Sequence, residues 1–240
     1  MPEQELKLST YYVLYMDILG VKDKINSDNS EDFLKELNSL YQEVLKGINI
    51  VGNEINNIKI ETKIFSDNII IAINKDNNIE LCAMKSMLIF EIAAMFQVCA
   101  LAYNFLVRGS LVIGNLYIDG TFVYGKALLD AYNLETNIAI YPRIIIKKED
   151  VAEFMKCDSL IGYISKDSSG ISYINSFDKY FEVVKKDITK EDVKTLSDNL
   201  KKKKSEMVDY RYYSKIYWLI NEFNNFCERK NFKDCRINFP

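Results

Sequence analysis

The segment spanning residues 79–104, "IELCAMKSMLIFEIAAMFQVCALAYN", constrains the fold more than any other stretch of the chain. Read as a helix, it is apolar around nearly its whole circumference and has no face to offer to water. Glu91, Gln97 and Asn104 interrupt it, which argues against a membrane span and for a helix buried inside a protein core. Such a helix needs cover on all sides, so the rest of the chain must supply a sheet and further helices to wrap it. With 240 residues, 48% of them hydrophobic, there is ample material for one large core.

The remaining elements follow from period and punctuation. "YYVLYMDILG" (11–20) reads as a β-branched and aromatic strand ending at Gly20. "SEDFLKELNSLYQEVLKGI" (30–48) reads as an amphipathic helix with Ser30 as N-cap. Its stripe is Phe33, Leu34, Leu37, Leu40, Tyr41 and Leu45, and Gly47 marks its end. "NIKIETKIF" alternates as a half-buried strand and "NIIIAI" follows as a buried one. "FLVRGSLVIGNLYID" and "TFVYG" form a strand pair turning at Asp119-Gly120. "KALLDAYNLETNIAI" and "KEDVAEFMK" read as helices, and "YPRIIIKK", "GISYINSF" and "YFEVVKK" as strands. The chain closes with long helical material from Thr189 onward. Strands and helices mix without strict alternation, which places the chain in the α+β class with an antiparallel-rich sheet.

Composition narrows the chemistry. There is no histidine, so Ser-His-Asp triads, Cys-His dyads and His-ligated zinc are excluded. The five cysteines show no CxxC spacing, which points away from zinc and disulfides and toward a reducing, cytoplasmic setting. The net charge of −3 gives no basic excess, so bulk nucleic-acid binding is not expected. The polar start, "MPEQELKLST", has no apolar signal segment, and no membrane association is expected.

Two acidic residues then stand out. Asp17 ends the first strand in "MDILG", and Asp67 precedes "NIIIAI" in "FSDN". A hairpin places them side by side, where two carboxylates repel unless a cation neutralises them. A divalent ion held by Asp17, Asp67 and the backbone carbonyl of Ile18 removes that cost. Oxygen ligands alone suit Mg²⁺ or Mn²⁺. On residue type alone, the more ordinary reading is that Asp67 starts a turn with Asn68 and Asp17 caps a loop.

The succession "MDILG", "FSDN", "VRGSLVIG" and "YGKALLDAYNLE" resembles the class III nucleotidyl cyclase domain of adenylate and guanylate cyclases, over roughly residues 11 to 150. The resemblance implies a ferredoxin-like α/β sandwich over residues 1–186, with residues 187–240 as a helical extension packed on it. It implies two metal ions per site on Asp17 and Asp67, and a head-to-tail homodimer with shared sites in which Arg108 and Lys63 act across the interface. Lys63 matches the base-reading Lys, whereas the usual acidic or hydroxyl partner is replaced by Phe122. The ribose-orienting Asn and transition-state Arg of the family fall on Leu129 and Asn133. Arg108 and Arg143 are the candidate phosphate or base clamps. This altered set is similar to the bacterial pyrimidine cyclases of the Pycsar anti-phage system. That likeness implies cyclisation of a nucleoside triphosphate, UTP ahead of CTP, to a cyclic monophosphate that a separate effector senses. The alternative is a cyclase-like domain that binds nucleotide and regulates without catalysis.

Overall fold

The structure is a computed structural model that describes residues 6–26, 28–54, 58–185, 187–206 and 210–238. Its first strand, β1 (Ser9–Ile18), is buried on both faces, so it reads as a near-continuous apolar run. Tyr12, Leu14, Met16 and Ile18 point to one face, Val13 and Tyr15 to the other. The short helix α1 (Val21–Ile25) and the long helix α2 (Ser30–Glu54) follow. The hairpin of β2 (Ile60–Phe65) and β3 (Asn68–Asn74) comes next, then the apolar helix α3 (Ile79–Ala102) and β4 (Val107–Ile118).

These four strands pair antiparallel in the order β2-β3-β1-β4. Helices α2 and α3 both cover the Tyr12–Ile18 face. This βαββαβ arrangement is the ferredoxin-like pattern. The sheet continues from β4 through β6 (Ile144–Ile146), which joins parallel, to β8 (Ser172–Ile174) and β7 (Ile164–Lys166). The two-residue strand β5 (Val123–Tyr124) pairs with the end of β4 as the expected hairpin at Asp119-Gly120. Helix α4 (Lys126–Asn137) covers the other sheet face through Ala127 and Ala131. The short helices α5 (Val151–Phe154) and α6 (Asp158–Ile161) lie between β6 and β7.

Helix α3 is wrapped as its composition demands. Leu88, Ile89, Phe90, Ile92 and Phe96 join the cluster formed with the sheet and α2. Val98 and Leu101 join a second cluster made with α8 (Lys190–Ser205) and α9 (Tyr210–Arg229). Among the described residues no helix is long and apolar enough to cross a membrane, and the five cysteines are free thiols.

Three expectations are corrected. Helix α2 does not stop at Gly47 but runs on to Glu54. A Cβ on Gly47 would sit 2.6 Å from the Met95 sulfur, so the glycine lets α3 approach rather than ending α2. Leu34, assigned to the buried stripe of α2, is 63% exposed, and Val44 and Ile48 take its place inside. "YFEVVKK" is not a strand: Tyr180–Val184 form a π-helical turn continuing the short helix α7 (Ser176–Lys179). Phe177 and Phe181, four residues apart, both stack on Phe226 of α9, and that packing overrides the local β preference.

Candidate active site

The site forms where β1, the β2–β3 hairpin, β4 and α4 meet. Asp17 lies directly opposite Asn68 on one side and Arg108 on the other. Period two puts Asp17 and Arg108 on the α4 face, with Tyr15 and Val112. Close approach here depends on Gly109: a Cβ at that position would meet the Tyr15 carbonyl at 2.5 Å. The Ile18 amide donates to the Asp67 carbonyl at 3.0 Å, locking the hairpin turn to the end of β1. The turn itself is tight. Ser66 takes a left-handed φ of 57°, and its carbonyl accepts from Tyr41 Oη at 3.2 Å. Asp67 is oriented from behind: Tyr15 Oη donates to Asn68 Oδ1 at 2.6 Å, and Asn68 Nδ2 donates to Asp67 Oδ1 at 3.2 Å.

The expected juxtaposition of Asp17 and Asp67 is therefore present. Burial pushes the Asp17 carboxyl above the ordinary carboxylate value; Arg108 opposes this and the charge of Asp67 adds to it. Such a donor set fits a divalent cation, which would relieve the repulsion between the pair. Asp17, Asp67 and the Ile18 carbonyl would hold Mg²⁺ or Mn²⁺, with substrate phosphate and water completing the shell, as Mg²⁺ commonly requires. No cluster of three or more His, Cys, Asp or Glu able to hold a metal occurs among the described residues.

Arg108 Nε stands 3.3 Å from Asp17 Oδ2 and 2.5 Å from Glu135 Oε1. It thus lies beside the carboxylates of its own chain. Glu135 was not singled out by the sequence motifs. It extends the inward Ala127–Ala131 stripe of α4 by one more turn and is 3% exposed. Burial raises its carboxyl despite Arg108, and Asp17 and Asp67 push the same way.

The other sequence candidates separate. Lys63 Nζ donates to the Gly120 carbonyl at 2.6 Å, which pins β2 to the β4–β5 turn. Phe122 in that turn is 47% exposed and packs on Tyr117, so Lys63 and Phe122 come together. Asn133 and Leu129 lie on the exposed side of α4. Arg143 is not available to a substrate. It is 2% exposed, bonds Asp167 at 2.6 Å, and is enclosed by Tyr141, Tyr173 and Trp218 with its guanidinium carbon 5.1–5.3 Å from their centroids.

No family model matches the sequence, and no curated protein is similar to it. Among solved structures, the chain is similar to the monomeric guanylyl cyclase domain of the RhoGC fusion protein from the aquatic fungus Blastocladiella emersonii. The match covers 69% of this chain and 94% of that one, at 14% identity and a TM-score of 0.49.

Proposed function

We propose that this chain is a nucleotidyl cyclase that closes a ribonucleoside triphosphate to its 3′,5′-cyclic monophosphate and pyrophosphate. The observation that carries the reading is the pairing of Asp17 and Asp67 at adjoining strand ends, each fixed by its own hydrogen bonds. In the reaction the ribose 3′-oxygen attacks the α-phosphorus, and the bond to the bridging oxygen of the β-phosphate breaks. The hydroxyl proton passes to solvent. Bound Mg²⁺ or Mn²⁺ would lower the pKa of the hydroxyl and offset charge on the departing pyrophosphate. The protein orients Asp67 through Tyr15 and Asn68, and holds Arg108 beside the carboxylates, where its remaining donors can reach phosphate oxygens.

The base is assigned to the surface where Lys63 meets the β4–β5 turn that carries Phe122. Phe122 neither donates nor accepts a hydrogen bond, so it leaves the polar edge of a purine unpaired. Lys63 can donate to a carbonyl, of which uracil offers two and cytosine one. This supports a pyrimidine, with UTP preferred. A homodimer fits the exposed apolar side chains around the site: Phe65 is 82%, Leu129 58% and Tyr132 47% exposed. The anti-phage role, with a separate effector sensing the cyclic nucleotide, rests on the motif resemblance.

One observation favours the rival reading of a regulatory nucleotide-binding domain: Arg108 is engaged by two carboxylates rather than directed to solvent. Incubation with each of the four ribonucleoside triphosphates and Mn²⁺, with chromatographic separation of products, decides between them. Cyclic pyrimidine nucleotide from the wild type, lost in Asp17→Asn and in Asp67→Asn while both stay folded, is the expected result. Bound nucleotide without turnover would establish the rival. Turnover of ATP or GTP at the pyrimidine rate would remove the base assignment alone.

A further inference from the structure

A cavity of about 350 Å³ opens between the β3–α3 connection and α5. Lys75, Asn77, Cys82, Ser86, Glu153 and Cys157 are among the residues that line it. It is separate from the candidate active site. Tyr12, which touches Cys82, precedes Asp17 by five residues, roughly 16 Å along a strand. Tyr12 also points to the helix-covered face of the sheet, whereas Asp17 points to the α4 face.

The charges around this cavity are matched. Lys75 and Lys156 both bond Glu153, at 3.0 and 2.6 Å, and Asp76 bonds Lys85 at 3.3 Å. A charged ligand therefore finds its counter-charges engaged. The unusual content is sulfur. Two of the five cysteines, Cys82 and Cys157, border this one cavity, and both are partly exposed.

The surroundings of Cys82 favour negative charge on its sulfur. Tyr12 Oη stands 2.8 Å from Cys82 Sγ. Burial pushes the Tyr12 phenol above its ordinary value and the sulfur adds to this, so Tyr12 keeps its proton and faces the sulfur as a donor. Lys75 is within hydrogen-bonding reach of the same sulfur. Burial works against the Lys75 ammonium, yet Glu153 and Cys82 raise it above the usual lysine value. Cys82 is also the fourth residue of α3, a 24-residue helix capped by Asn78, so it lies near the positive end of that helix. Donors of this kind stabilise charge that develops on sulfur during exchange with a disulfide.

The second thiol has a cation as well. Lys179 is fully buried, its Nζ has no hydrogen-bond partner among the described residues, and its ion pair with Glu91 is long at 3.5 Å. Burial lowers the Lys179 ammonium, and Glu91 and then Cys157 oppose this. The other thiols are placed to stay inert. Burial pushes Cys99 up to about 11 and Cys227 up to about 12, and Cys235 is buried.

We propose that this cavity is a site of reversible thiol modification, at which Cys82 exchanges with a low-molecular-weight disulfide. The Cys82 sulfur attacks one sulfur of the disulfide, the S–S bond breaks, and the expelled sulfur takes the proton that Cys82 gives up. One disulfide replaces another, so no further oxidant enters. The cavity, in the size range of small-ligand sites, receives the new substituent.

The test uses the full reduced chain and glutathione disulfide as probe, with a mass-spectrometric map of all five cysteines against time. Cys82 should gain the adduct at least about tenfold faster than Cys99. Cys227 and Cys235 should stay free while the chain is folded, and dithiothreitol should restore the Cys82 thiol. Lys75→Met should slow the reaction at Cys82 about tenfold, and Lys75→Arg should restore it. Tyr12→Phe, which removes only the hydroxyl, should slow it too, and Cys157→Ser should still take the adduct on Cys82. The wild-type map needs no variant to fold. No adduct on Cys82, an adduct on Cys99 or Cys157 as fast as on Cys82, or a folded Lys75→Met that reacts at the wild-type rate would overturn the proposal.

Discussion

Replacing Arg108 with Met tests the charge balance of the site directly. In the native chain Arg108 lies between Asp17 and Glu135, with side-chain exposures of 22%, 16% and 4%. Removing the cation leaves two largely buried carboxylates facing each other and Asp67. Breaking one partner out of a buried ion pair costs about 3–5 kcal/mol, because the remaining charge is stranded. For a chain of this size 1 kcal/mol corresponds to about 2–4 °C in Tm, so Arg108→Met should melt roughly 6–20 °C lower. The loss should also depend on pH. Both carboxyls already titrate above their ordinary values in the folded state, and loss of Arg108 raises them further. The folded protein then holds protons that the unfolded chain has released, so stability falls as pH rises through and above the ordinary carboxylate range. Melting curves at about pH 5 and about pH 8 should therefore show the larger deficit at the higher pH. The double variant Arg108→Met/Glu135→Leu should recover much of the loss, since an apolar pair of similar volume can replace a buried ion pair. A deficit below about 1 kcal/mol, the size of a surface pair, and equal at both pH values would show that Arg108 is not held between these carboxylates.

Arg108 is paired with Asp17 of its own chain, and on a site completed within one chain, mixing Asp67→Ala with Arg108→Ala subunits should restore no cyclase activity. Substantial rescue after demonstrated subunit exchange would place Arg108 across the dimer interface instead. Asp167 should govern part of the acid limb of stability. Burial opposes its charge, yet Ser169, Arg143 and the Ile171 amide bring its pKa down to about 2. A depressed carboxylate stabilises above its unfolded value and loses that contribution as pH falls. Asp167→Asn should thus cost roughly 2–3 kcal/mol near neutrality and flatten the transition below about pH 4. The fluorescence of Trp218, the one tryptophan in the chain, reports this locally because its ring lies on Arg143. An unchanged acid midpoint in the variant would show that the Arg143–Asp167 bond contributes nothing.

The fold was legible wherever the pattern of side chains has only one packing solution. Helix α3 has no solvent face, so its wrapping by sheet and helices followed from residues 79–104 alone. The Ile run of β3 and the turn residues before it fixed a hairpin, and the register then fixed Asp17 opposite Asn68. What could not be read was structure set by distant partners. The segment 180–184 carries aromatic and β-branched residues that favour a strand locally, and only the aromatic cluster contributed by α9 makes it helical. Gly47 reads as a helix end because nothing near it in sequence announces Met95.

The site shows the same division more sharply. Asp17 and Asp67 were found because a carboxylate at the mouth of an apolar strand has a cost that demands a reason. Arg143 was misplaced by the converse logic: an arginine beside a strand looks available until its aromatic cage and Asp167 are seen. Glu135 was missed although its signal was present. Ala127 and Ala131 define the inward stripe of α4, and a step of four from Ala131 lands on Glu135. An acid on the buried stripe of a helix requires a cation on the strand beneath it, and Arg108 in "VRGS" is the cation that β4 offers. The cyclase motifs ask only which residues match a pattern, and this pairing lies outside them. Charge balance asks a different question, namely which buried charge lacks a partner. That question leads from Glu135 to Arg108 and from Arg108 to Asp17 without reference to any relative.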